Sequence, residues 1–252
     1  MELWLAALSG LIAGGALLAG SAVAWFVQIP KRRVAAIMAL GAGVLISTLA
    51  YELVEEAADD GGLVATIFGF LGGAILYIVA DWLVSRPRGS ASTSAVTDTA
   101  NIVARRAAAG SGVVIAIGAL IDGIPESIVM GLSVLQDGGL SVPIVAAIAI
   151  SNIPEGLSST AQLKSSGKTG GWIARLWLGI ALVTVIASVL GFVAFQSASP
   201  NLIAVITTIA AGGLLAMICN TMIPEAFDEQ RAMTGLWATI GFLFAFVLHE
   251  IA

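Results

Sequence analysis

Residues 112–134 read GVVIAIGALIDGIPESIVMGLSV, an apolar run whose only charged members are Asp122 and Glu126. Crossing the hydrocarbon core of a bilayer takes about 20 apolar residues at 1.5 Å rise each. The stretch therefore predicts a membrane-crossing helix with two carboxylates near its middle. A charge at that depth costs at least ~2.5–3.5 kcal/mol on insertion scales, so it serves a function by default.

Seven further windows pass the same test, roughly 3–27, 34–54, 62–84, 141–162, 172–196, 202–224 and 234–251. The whole chain agrees with them. Of its 252 residues 58% are hydrophobic and 11% charged, against about 25% charged in soluble domains, and its mean hydropathy is +1.00. The expected fold class is an all-α integral membrane protein of eight transmembrane helices. Met1-Glu2 offers no basic flank before the first window, which predicts a retained helix instead of a cleaved signal. The single cysteine, Cys219, allows no internal disulfide and is expected as a small core residue.

All eleven Lys and Arg fall on alternate connections: Lys31, Arg32 and Arg33; Arg86, Arg88, Arg105 and Arg106; Lys164, Lys168 and Arg175; and Arg231. The positive-inside rule makes those connections cytoplasmic and both termini extracellular. The one long connection, about 86–110, is rich in Ser, Thr and Ala and is expected as a flexible cytoplasmic loop dividing the spans three plus five. Residues 1–252 then form a single polytopic domain of the cytoplasmic membrane. Gly10/Gly14 and Gly69/Gly73 have the small-xxx-small spacing of close helix packing, better suited to internal contacts than to a homodimer face, which stays open.

The fifth window carries its own polar group: Ser151, Asn152 and Glu155. Asp122 and Glu126 stand four apart, and Ser151 and Asn152 stand four and three before Glu155, so each helix is expected to present its oxygens on one face. Neither window has a Lys or Arg to neutralise them. A metal ion or a proton is the simplest partner left. Pro125 and Pro154 cannot donate to the carbonyls four residues earlier, and broken backbone at membrane depth is tolerated where it lines a cavity. Asp122-Gly-Ile-Pro-Glu-Ser127 and Ser151-Asn-Ile-Pro-Glu-Gly156 repeat one pattern, and Ile223-Pro224-Glu225 repeats its core. For that third copy the reading is a proline-ended helix with a solvated Glu.

Glu52 lies near the outer end of the second window beside Glu55, Glu56, Asp59 and Asp60. It joins the candidate metal ligands because an acidic mouth concentrates cations; a solvated helix end is the alternative. Asp81 is expected to anchor on Arg86 or Arg88, His249 to be exposed at the outer terminus, and the six tryptophans to mark span ends.

These motifs resemble the ZIP (zinc- and iron-regulated transporter-like) metal transporters. Ser-Asn-Ile-Pro-Glu-Gly, residues 151–156, is similar to the family's fifth-span His-Asn-x-Pro-Glu-Gly, and Gly-Ala-Gly-Val-Leu-Ile-Ser, residues 41–47, precedes Glu52 in a similar second span. Where the family has histidines, this chain has Asp122 and Ser151; the family's sixth-span glutamate aligns with Val185, and its acidic pair near the end of the seventh span with Asn220 and Thr221. The resemblance implies a divalent-cation carrier working by alternating access, with zinc or a similar ion (Mn, Fe, Mg or Cd) held by Asp122, Glu126, Ser151, Asn152 and Glu155. The lost histidines motivate an alternative, a transport-inactive metal sensor or structural subunit. No catalytic residue or resident cofactor is expected, since no His/Asp pair accompanies a nucleophile. The expected partners are the cation and the lipid bilayer, and no nucleic acid.

Overall fold

A computed structural model describes residues 2–85 and 112–251. The expected loop at 86–110, with its four arginines and any pairing of Asp81 to them, lies outside the described residues. Every element among those described is helical: α1 (Glu2–Phe26), α2 (Lys31–Thr48), α3 (Glu56–Ser85), α4 (Gly112–Asp137), α5 (Val142–Ser165), α6 (Gly170–Ala194), α7 (Pro200–Met217), α8 (Ile223–Gln230) and α9 (Met233–Ile251). Two π-helical turns, Leu49–Glu55 and Ile218–Met222, join α2 to α3 and α7 to α8 without a break.

Among the described residues seven continuous helical stretches are long and apolar enough to cross a membrane. The expected second and third spans share one of them, the 53-residue run Lys31–Leu83. The Asp59-Asp60-Gly61-Gly62 segment carries a kink where two helices meet, at Gly62, whose φ is 77° and ψ 160°. That left-handed φ is open to glycine at no steric cost.

The helices sort by their contacts. α1 packs on α5 and α6, and α4 on α6; α3 packs on α7 and α2 on α9, while α2 also packs on α5. α1 and α5 run parallel. Ala13 meets Asn152, Ser21 meets Thr160 and Trp25 meets Lys164, a constant register along both helices. Glycines set the spacing: a Cβ on Gly20 would stand 2.2 Å from the Ile153 carbonyl oxygen, and one on Gly156 2.3 Å from that of Leu17. Both small-xxx-small pairs are spent on internal contacts, Gly10 and Gly14 against α6, Gly69 and Gly73 against α7.

Outward faces are apolar, as hydrocarbon requires: Leu63, Phe68, Leu71 and Ile75 on α3 and Leu178, Leu182 and Leu190 on α6 are all exposed. Hydroxyls face inward, where Ser9 and Ser188 bond each other at 3.1 Å and Ser188 donates to the Ala6 carbonyl at 2.7 Å. Two expectations fail. Trp177 is no interfacial anchor; seven residues into α6, it is fully buried and donates from Nε1 to Thr160 Oγ1 at 2.8 Å, tying α6 to α5. Cys219 is exposed, not in the core, because it sits on the outward side of a π turn.

Candidate metal site

α4 and α5 each continue through their internal proline, Pro125 and Pro154, so the polar groups beside them stay on regular helix faces. On α4, Asp122 and Glu126 stand one turn apart and are buried. Glu126 is 2% exposed, and its Oε2 has no hydrogen-bond partner among the described residues. Ser151 on α5 is buried and donates to the Ile148 carbonyl at 2.9 Å; Glu155 is half-buried.

Asp122, Glu126, Ser151 and Glu155 line one cavity of about 60 Å³. Two of the expected ligands are not in its wall. Asn152, one residue on from Ser151, points toward α1 instead, where Nδ2 donates to the Ala13 carbonyl at 3.2 Å. Glu52 sits in the first π turn, where its Oε1 lies 2.6 Å from His249 Nδ1. His249, expected to be exposed at the outer terminus, is only partly exposed and stacks on Tyr51 with ring centroids 5.6 Å apart.

The wall also holds residues outside the expected ligand set, one of which, Glu225, the sequence reading leaves solvated at a helix end. Glu225 lines the cavity, with Ser158, Ser159, Gln162 and Thr221. The helix does not end at Pro224: α8 continues to Gln230, and Ser158 Oγ donates to Glu225 Oε1. The signal was present in the third Ile-Pro-Glu copy, and all three copies send their glutamate to this cavity. Met38, Met217 and Met222 close the remaining wall. No pattern announced them.

Among the described residues no three His, Cys, Asp or Glu side chains are already gathered as a metal cage. The carboxylates share a cavity without converging on one point. A larger cavity of about 400 Å³ lies on the opposite face of α4, between Ile121, Pro125 and Ile128 of that helix and residues of α3 and α7. Its lining is almost wholly apolar, which suits no ion. α4 thus divides a polar chamber from an apolar seam.

A family model described as ZIP zinc transporter matches residues 84–249, well over half of the chain. The protein belongs to the ZIP family. Membership places it among metal-ion transporters in a membrane setting, in keeping with the seven long apolar helices among the described residues. A search of curated proteins gave no match. Within this ZIP chain the matched segment contains α4 to α8, and hence every cavity-lining residue except Met38.

Proposed function

We propose that the protein carries divalent cations across the cytoplasmic membrane, binding them in the cavity between α4 and α5 and opening it to each side in turn. The observation that carries this reading is Glu126, a buried carboxylate with an unpartnered oxygen on a small polar cavity that Asp122 and Glu155 share. Solvation lost by such a group must be replaced by a proton or a cation, and the cavity beside it leaves room for the cation. We assign the ligand role to Asp122, Glu126 and Glu155 with Ser151. Asn152 is a strut to α1, and Glu52 belongs to the outer contact with His249.

The cavity suits a stripped ion. By the ~10–15 Å³ that each water-sized body needs, about 60 Å³ takes roughly four to six, fewer than an octahedral ion with six waters. Binding therefore exchanges water for carboxylate oxygen. That favours zinc and similarly labile ions over Mg²⁺, which dehydrates reluctantly. Because the carboxylates do not converge at rest, they draw together as the ion arrives.

Eight crossings, with both termini outside, fit this reading. The 53 residues of Lys31–Leu83 would measure about 80 Å as one straight helix, more than twice the hydrocarbon core. Counting that run as two crossings also makes α1 and α5 parallel, as their register requires, whereas one crossing would make them antiparallel. Alternating access then moves α1, α4, α5 and α6 as a group against α2, α3, α7 and α9. The apolar seam beside α4 gives the two groups a surface with few polar bonds to break; Gln136 Nε2 to Glu56 Oε1, at 3.4 Å, links α4 to α3 beyond it.

The test is flux. Purified protein in sealed vesicles is expected to take up Zn²⁺, with Mn²⁺, Fe²⁺, Cd²⁺ and Mg²⁺ compared, and Glu126→Gln and Glu155→Gln are expected to abolish uptake. Wild-type protein that binds zinc without moving it would overturn the carrier reading, and undiminished uptake by both variants would overturn the site.

A further inference from the structure

Between Glu155 and Glu225 the sequence has no acidic residue, yet it carries Lys164, Lys168 and Arg175. All three stand around the turn from α5 into α6. Lys164 is nine residues past Glu155, about 14 Å of helix at 1.5 Å per residue, and half of a hydrocarbon core is about 15 Å. With Glu155 near mid-depth, the three cations therefore lie at the level of the lipid headgroups, on the side that the positive-inside rule assigns to the cytoplasm.

α1 closes this corner from a third side. Lys164 Nζ donates to the Trp25 carbonyl at 2.8 Å and lies 5.2 Å from the centroid of the Trp25 ring, and a Cβ on Gly170 would meet that ring at 2.7 Å. Lys168 Nζ lies 5.1 Å from the centroid of Trp172. Tryptophan settles at the membrane–water interface, so each ring holds an ammonium at headgroup depth. Arg175 Nε donates to the Gly171 carbonyl at 3.1 Å, which folds the guanidinium back along the first turn of α6. There the helix presents its positive end, and Thr169 supplies no side-chain cap. Arg175 is exposed, and one and two turns further along the same face stand the exposed Leu178 and Leu182. Positive charge at headgroup level thus leads into an apolar track at acyl-chain depth.

The acids of the neighbouring helices stand elsewhere. Glu2 is at the opposite end of α1; Asp122 and Glu126 are at mid-depth in α4 and Asp137 is at its opposite end. Glu225 reaches α5 on the cavity face, at Ser158, whereas Lys164 faces α1. The other basic trio among the described residues is placed differently: Lys31, Arg32 and Arg33 open α2, and α8, which packs on α2, brings Asp228 and Glu229.

We propose that the corner of Trp25, Lys164, Lys168, Trp172 and Arg175 binds the phosphate headgroup of an anionic phospholipid of the cytoplasmic leaflet, with an acyl chain along Leu178 and Leu182. A basic residue near a membrane surface strengthens the attraction of anionic lipid about fivefold. The probes are phosphatidylglycerol and phosphatidylcholine, added to the purified protein in neutral detergent and counted by native mass spectrometry. Wild type is expected to hold phosphatidylglycerol about tenfold or more tighter than phosphatidylcholine. Lys164→Gln/Lys168→Gln/Arg175→Gln is expected to bring that ratio to within about threefold of one, and Lys31→Gln/Arg32→Gln/Arg33→Gln to leave most of it. Lys164→Arg/Lys168→Arg/Arg175→Lys keeps the charge and is expected to keep the ratio, and millimolar inorganic phosphate is expected not to displace the lipid.

A wild-type ratio near one would overturn the site, as would a ratio that survives the first triple variant. Equal loss in the α2 variant would reduce it to general surface charge. Loss in the charge-keeping variant would put the effect in packing, and displacement by inorganic phosphate would make the corner a soluble-anion site; either result also overturns the proposal.

Discussion

Replacing Glu126 by Met should make the protein more stable without metal and insensitive to metal. The unpartnered Oε2 of Glu126 is buried in the membrane interior, and an unsatisfied buried polar atom costs about 1–3 kcal/mol. Asp122 stands one turn away, and like charges at that spacing add roughly 0.2–0.5 kcal/mol of repulsion. Methionine is unbranched and close in length, so the space stays filled while both penalties go. At about 2–4 °C per kcal/mol for a chain near this size, a gain of about 1–3 kcal/mol raises Tm by roughly 2–12 °C. Wild type at 100 times its Kd for zinc gains about 2.7 kcal/mol, whereas the variant gains nothing. Thermal unfolding of both proteins, in chelator and in zinc, reads the two effects together. The order of stability should narrow or invert when zinc is added. A Glu126→Met protein less stable than wild type in chelator, or one that keeps the zinc shift, would refute the reasoning.

Gly156→Ala puts a Cβ 2.3 Å from the Leu17 carbonyl oxygen and should cost about 1–3 kcal/mol by forcing α5 off α1; Gly179→Ala, with nothing within 4 Å, is the matched control that should leave Tm unchanged. Asn152→Leu removes the bond to the Ala13 carbonyl and should cost about 0.5–1.5 kcal/mol in thermal denaturation while zinc affinity holds; a collapse of affinity would make Asn152 a ligand. His249→Phe keeps the ring against Tyr51 but loses the Glu52 contact, a partly exposed pair worth about 0–1 kcal/mol. Uptake by that variant should stay near wild type, and a loss as deep as that of Glu126→Gln would put the outer pair on the ion path.

Much of the fold was legible because hydropathy and length are direct readings of the bilayer. The apolar helices, read as eight spans and found as seven continuous stretches among the described residues, the carboxylates inside α4 and α5 and the packing glycines all follow from residue type and spacing. What hydropathy windows handle badly is a boundary. A window ending at residue 224 leaves Glu225 looking solvated, although the helix runs through Pro224 and turns the side chain inward. Likewise the acidic run at Glu55–Asp60 reads as a helix end, and the kink that ends that helix falls at Gly62, which hydropathy does not mark. Facing is the other gap. Ser151 and Asn152 are adjacent, so a 100° step on the helix sends one to the cavity and the other to α1. Pairs distant in sequence, such as Glu52 with His249 and Thr160 with Trp177, leave no periodic trace.

The central claim is that the transported cation rests between α4 and α5 on carboxylate oxygen. Anomalous X-ray diffraction at the zinc edge, from crystals of the protein grown with zinc, tests it most directly. The expected result is a peak within about 2.0–2.2 Å of oxygens of Glu126 and Glu155, with Asp122 drawn toward it. A protein whose zinc lies only at the outer Glu52–His249 pair, with none between α4 and α5, would contradict the account.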